Sequence, residues 1–201
     1  MSRPDLSLEA QCLGVVAGVD EAGRGPWAGP VVAAAVVLNR NNVPEGIHDS
    51  KQIAKVQHEA LYHSITQSAD WGVGIASVEE IDRLNILGAT KLAMQRAVAA
   101  LRQKPDMVLV DGNRLPVLPC KAQAIVKGDS RSLSIAAASI IAKVTRDRMM
   151  RELAREFPHY GWERNAGYGT AKHQEGLVKY GVTIHHRRSF RPIRELIEKA
   201  Q

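Results

Sequence analysis

Short apolar runs that close on acids constrain this chain more than any other feature. Residues 15–20 (VVAGVD) and 31–38 (VVAAAVVL) are of strand length, rich in valine and bounded by glycine and proline, as buried strands are. Only the loop GRGPWAGP separates them, so they are expected to pair antiparallel. MVLVDG at 107–112 and KAQAIVKGD at 121–129 repeat the pattern, each closing on glycine and an acid. Trp71 to Ala76 is also strand-like. Helical spacing marks residues 54–68, then Leu87, Met94, Val98 and Leu101 up to the QKPD break, and the long segment from Ser134 to Phe157. From Met107 onward strand alternates with helix, which predicts α/β architecture. Thr170 is expected to cap a helix running to Lys179, and RPIRELIEKA is expected to form a terminal helix.

Composition sets the outer bounds. With 201 residues, 45% of them hydrophobic, the chain is long enough to bury a core and make a single domain, residues 1–201, with about 155–201 as a carboxy-terminal helical extension. Twenty-seven Lys and Arg against 21 Asp and Glu give a net charge of +6, which favours a polyanionic partner. Cys12 and Cys120 stand far apart, form no Cys-x-x-Cys and are expected to be buried thiols in a reducing compartment. The first residues, MSRPDLSLEA, lack the basic and apolar blocks of a signal peptide, and the longest apolar run is far short of the ~20 residues a membrane helix needs. A cytoplasmic protein without membrane association, working as a monomer, is the expectation.

The acids then fall into a pattern. Asp20 and Glu21 end the first strand, Asp111 ends VLVD and Asp129 ends AIVKGD. If those strands run parallel, their carboxyl ends share one rim of the sheet, where α/β proteins place their sites. Acids converging there repel one another unless divalent cations lie between them, and hard oxygen donors suit Mg²⁺ or Mn²⁺. A pair of such ions roughly 4 Å apart serves phosphodiester hydrolysis, with water on one side and the leaving oxygen on the other. Taken singly, Asp111 or Asp129 before or after glycine is ordinary turn chemistry; the group of acids, with two adjacent, favours a site. Asp147 competes for the fourth place. It lies about 15 residues past Ser132, so a continuous helix would set it roughly 20 Å from Asp129. It also has Lys143 and Arg151 one turn away as ordinary ion-pair partners, so Asp129 is preferred.

Other chemistries fail on context. Gly23-Arg24-Gly25 follows a strand, but Pro30 and a valine-rich strand come next, whereas a dinucleotide fingerprint must open a helix. No Gly-x-Ser-x-Gly elbow, Walker loop or His-Glu-x-x-His helix is present.

The blocks GVDEAGRGPWAGPVV, DSK, LNILGATKLAMQRA, VDGN, KGDSRSLSIAAASIIAKVTRDRMM, GYGT and HHRRSF occur in the order seen in type 2 ribonucleases H, and the chain closely resembles bacterial ribonucleases HII over residues 15–190. The resemblance implies a ribonuclease H-like mixed sheet flanked by helices, with a carboxy-terminal helical extension. It implies endonucleolytic cleavage of RNA paired with or joined to DNA, including the 5′ side of single ribonucleotides in duplex DNA. Two ions, Mg²⁺ or Mn²⁺, would be held by Asp20, Glu21, Asp111 and Asp129. The backbone of Gly23, Arg24 and Gly25 would meet the ribose 2′-hydroxyl and its phosphate, and only glycine backbone allows such close approach. Tyr168 would pack on the following sugar, and Ser50 and Lys51 would touch phosphate. Asp49 and Gln52 also make an ordinary capping box. Where the family commonly has lysine before GYGT, this chain has Ala166-Gly167, a departure that puts one of the phosphate contacts implied by the resemblance in doubt but not the tyrosine. The run from His185 to Arg188 is assigned no chemistry and is expected to be solvated or packed under the last helix. The competing class is a silent nucleic-acid-binding protein. Retained acids argue against it, because binding alone disfavours negative charge near phosphate.

Overall fold

The protein is described by a computed structural model over residues 4–47 and 55–199. A five-stranded sheet in the order β3-β2-β1-β4-β5 forms its centre. β1 (Val16–Ala22) pairs antiparallel with β2 (Val31–Val37), which pairs antiparallel with β3 (Asp70–Ala76). β4 (Met107–Asp111) and β5 (Lys121–Ile125) extend the other side in parallel with β1. The hairpin and the shared parallel direction agree with the sequence expectation.

Strand alternation decides which helix covers which face. Ala17 and Val19 of β1 point with Ala33, Ala35, Val108 and Val110 towards α3 (Val78–Ala99), through Ile81, Ala89, Ala93 and Met94. Ala34 and Val36 point the other way. There they meet α4 (Leu133–Glu156), through Ala137, Ile140 and Ile141, and α2 (Lys55–Ser68), through Ile65. Each Val, Ile or Met side chain among them, once fully buried, contributes about 1.5–3 kcal/mol, and each alanine methyl about 0.8 kcal/mol. The small residues of α4 let it lie close against the central strands.

Ser77 and Glu80 begin α3 with a reciprocal capping box, and α3 bends at Asn85, whose φ of 57° leaves the helical region. Its Oδ1 accepts from the N–H groups of Leu87 and Gly88, so Asn85 restarts the helix as an internal cap. Three expectations need correction. β5 stops at Ile125, because Lys127 adopts a left-handed φ of 55° and turns the chain into a 3₁₀ turn at Gly128–Ser130. Asp129 therefore lies on that turn and not on a strand. Cys12 and Cys120 are half-buried thiols rather than fully buried ones. Two one-turn helices, α1 (Ser7–Ala10) and α5 (Trp162–Asn165), carry too few residues for a periodicity to show.

Thr170 caps α6 (Ala171–Tyr180), accepting from the His173 N–H, and the chain ends in α7 (Arg191–Lys199). The carboxy-terminal helices have a small core of their own around Tyr160, Trp162, Leu177 and Ile193, joined to Met150 and Ala154 at the end of α4. Among the described residues no helix is long and apolar enough to cross a membrane.

Candidate active site

The carboxyl ends of β1 and β4 form one rim, and α4 passes beside it. A cleft of about 370 Å³ opens there, lined by Asp20, Glu21, Gly23, Arg24, Gly25, Asp111, Asp147 and Tyr168. A second hollow of about 340 Å³ shares Glu21, Arg24 and Asp111 and continues past Lys91, Asn113 and Arg114. Adjacent residues on a strand face opposite sides. Asp20 accordingly turns to the α4 side, near Ser139, and Glu21 reaches the α3 side.

The electrostatics of this rim are unfavourable as it stands. Asp20 is only 6% exposed. Burial, with Glu21 and Asp111 nearby, pushes its carboxyl well above the usual range, against the opposing hydrogen bonds of Ser139 and the Glu21 N–H. Burial also raises the Glu21 carboxyl, opposed by Arg24, which donates to Glu21 at 3.2 Å. Asp111 takes the Gly128 N–H at 2.6 Å, tying the 3₁₀ turn that carries Asp129 to the rim. Asp129 is buried on that turn and does not line the cleft.

Asp147 does line it. Its ion pair with Lys143, 2.8 Å long, is the expected one-turn pair, but it forms a wall of the cleft rather than a plain solvated face. Among the described residues no three His, Cys, Asp or Glu side chains are drawn together as a finished metal cage. The donors are nevertheless hard oxygens whose mutual repulsion a divalent cation relieves, so the residues fit Mg²⁺ or Mn²⁺.

The Gly-Arg-Gly loop and Tyr168 come together as expected, with Gly25 packed against the ring of a half-exposed Tyr168. The Tyr168 carbonyl is held from behind by histidines. The Thr183 N–H donates to His186 Nδ1 at 3.0 Å, which leaves the proton of a neutral His186 on Nε2. His186 Nε2–H then donates to His173 Nε2, also at 3.0 Å, and His173 Nδ1–H donates to the Tyr168 carbonyl. Burial lowers His186 to about 3, with the neighbouring His173 adding to the effect, so the pair stays neutral at physiological pH. Ser50 and Lys51 lie outside the described residues.

Several residues of this neighbourhood were missed in the sequence. Arg146 and Arg187 are 2% and 0% exposed and bind the backbone of the loop. His186 is buried too, so the run from His185 to Arg188 is interior framework at its centre. Helical spacing held a signal for Arg146, which falls on the α4 stripe of Ile135, Ser139, Ala142 and Met150 that faces inwards. Lys91, Arg114 and Lys143 add basic charge to the walls, and scattered surface lysines and arginines give no pattern by which to find them.

Known proteins resemble this one along nearly its whole length. The family model described as Ribonuclease HII matches residues 17–193. A protein named Ribonuclease HII from Ruegeria sp. (strain TM1040) is 57% identical over 98% of this chain and 88% of its own length. Another of that name from Paracoccus denitrificans (strain Pd 1222) is 56% identical over 100% of this chain and 98% of its own. The crystal structure of the ribonuclease H2 from Pyrococcus horikoshii OT3 superposes with a TM-score of 0.77 at 30% identity, covering 92% of this chain and 98% of that one.

Proposed function

The chain belongs to the ribonuclease HII family and is a metal-dependent ribonuclease, and we propose that it cuts RNA–DNA hybrids and the 5′ side of single ribonucleotides in duplex DNA. The observation that carries the reading is one cleft shared by Asp20, Glu21 and Asp111, the Gly-Arg-Gly backbone and Tyr168. Asp20, Glu21, Asp111 and Asp129 would hold two divalent ions, which would supply the charge that activates water and stabilises the departing oxygen. The protein groups do the rest. The N–H groups of the 23–25 loop meet the ribose 2′-hydroxyl and adjoining phosphate, which separates RNA from DNA. Tyr168 packs on the next sugar and fixes the scissile bond in line. Lys91, Arg114 and Lys143 neutralise the strand on either side, and Ser50 and Lys51 add phosphate contacts. The bond to the 3′ oxygen breaks, giving a 3′-hydroxyl and a 5′-phosphate. The enzyme acts as a cytoplasmic monomer.

Asp147 shares the cleft and rivals Asp129 for the fourth acid, so both positions enter the mutational tests below. The primary experiment compares cleavage of an all-DNA duplex, a duplex with one ribonucleotide and a long hybrid, with Mg²⁺ or Mn²⁺ and with EDTA, mapping each cut. Cleavage 5′ to the lone ribonucleotide that EDTA abolishes is expected. Binding without cleavage would mark a silent binding protein, and equal cutting of all-DNA would overturn the assigned selectivity.

A further inference from the structure

Two buried cations lie beneath the 23–30 loop, and among the described residues every hydrogen bond their guanidiniums make goes to a backbone carbonyl. Arg187 donates to Gly23 O at 2.6 Å, Arg24 O at 3.0 Å, Gly29 O at 2.9 Å and Pro30 O at 3.1 Å. Arg146 donates to Pro30 O and Ala166 O at 2.9 Å each, and to Ala28 O at 3.1 Å. Neither has a carboxylate ion-pair partner among the described residues, although burying an unpaired charge is costly. Burial lowers them to about 10 and about 9, Arg187 further depressed by Arg146, and both remain charged at neutral pH.

The peptide plane converts these contacts into a direction. In a trans peptide the C=O of one residue and the N–H of the next point opposite ways. No described peptide bond is cis. With Gly23 O and Arg24 O drawn inwards by Arg187, the N–H groups of Arg24 and Gly25 face outwards, into the cleft that Asp20, Glu21 and Tyr168 also line. Gly23 sits at φ 95°, and a Cβ there would land on the Arg146 side chain, so the backbone conformation and Arg146 together favour glycine. Their charges add a positive field behind the outward N–H groups, where an anion is read.

We propose that Arg187, backed by Arg146, is a positioning residue that sets discrimination for RNA by aiming the Arg24 and Gly25 N–H groups at the ribonucleotide. This inference rests on the assigned ribonucleotide cleavage. Arg187→Lys keeps the charge but loses the planar fork that spans several carbonyls at once. With Mg²⁺ present, kcat and KM are measured on the single-ribonucleotide duplex, and an all-DNA duplex of the same sequence is titrated as a competitive inhibitor. The expected result is a fall of about tenfold in kcat/KM, the scale of one well-aimed hydrogen bond to a charged group, with the all-DNA inhibition constant unchanged. An unchanged kcat/KM, or an equal loss of all-DNA affinity, would overturn the role of Arg187. Failure of the unaltered protein to prefer the ribonucleotide duplex would instead remove the cleavage assignment, and this inference with it. Should Arg187→Lys not fold, amide NMR of the unaltered protein decides. The Arg24 and Gly25 N–H signals should shift strongly with the ribonucleotide duplex and little with all-DNA; shifts confined to other residues would refute the aiming.

Discussion

Asp20 and Asp70 are both buried aspartates, 6% and 4% exposed, towards opposite ends of the same sheet. Their carboxyls shift in opposite directions. Burial alone would raise Asp70, but the Gln103 N–H at 2.8 Å and the N–H and Nε of Arg102 at 3.2 and 3.1 Å offset it and hold the carboxyl below the usual range. At Asp20 burial dominates, the neighbouring Glu21 and Asp111 add to it, and the hydrogen bonds of Ser139 and the Glu21 N–H do not offset them, so its carboxyl is raised. The same residue type thus yields a structural anchor at one end and a group short of positive charge at the other. The difference lies in how deeply each carboxyl is desolvated and how far hydrogen-bond donors and cations offset that cost.

The contrast breaks outright if the acidic rim proves dispensable. Asp20→Asn and Asp111→Asn should each lower single-turnover cleavage at least about a hundredfold while duplex binding is kept or strengthened. Near-normal cleavage in either variant would end the assignment. Asp129→Asn should fall in the same severe class. At the other end, Asp70→Asn should leave the cleavage chemistry intact but cost about 2 kcal/mol of stability, because a charge-assisted anchor is lost. Thermal unfolding measures this, and an unchanged midpoint would erase the distinction.

Asp20→Asn sharpens the comparison by its sign. In EDTA it should stabilise the protein by about 1 kcal/mol, since repulsion at a functional site is released. The pH dependence follows from the two shifts. Asp20 has a folded pKa above its unfolded value of about 3.8, so the folded state holds that proton more tightly, and stability is lost as pH rises from there through the raised value. The advantage of Asp20→Asn should therefore grow with pH across that interval. Asp70 has a depressed folded pKa, so its contribution is present above about 3.8 and lost as pH falls through the lower folded value. The deficit of Asp70→Asn should shrink on acidification. Parallel unfolding curves for the two variants would contradict this. The mildest expectation concerns Asp147→Asn, which should remove an ion pair worth about 0.3–0.5 kcal/mol and leave most activity. A severe loss there, with Asp129→Asn mild, would move the fourth ligand to α4.

The strands and the paired acids were legible because valine-rich runs of fixed length stop at Asp20-Glu21 and at Asp111, and that punctuation is local. Asp129 was legible as a residue but not as a place, since a left-handed Lys127 ends the strand early and nothing in the letters requires it. Arg146 stands among Lys143, Asp147 and Arg148, a mixture that reads as a solvated helix face, and only its place on the stripe of Ile135, Ser139, Ala142 and Met150 marks it as inward. Arg187 could not be read at all, because its partners Gly23 and Arg24 lie more than 160 positions away.

On the proposed reading, the close succession of Glu21 and the 23–25 loop would make the place of the cut a matter of length. One extended residue advances about 3.3 Å, nearly the ~3.4 Å rise between stacked bases. On that same reading, the span between the acids and the loop amides is a ruler written in covalent bonds, while Arg146 and Arg187 set the direction in which its far end points. A residue inserted between Ala22 and Gly23 would leave both ends of that ruler intact and change what it measures.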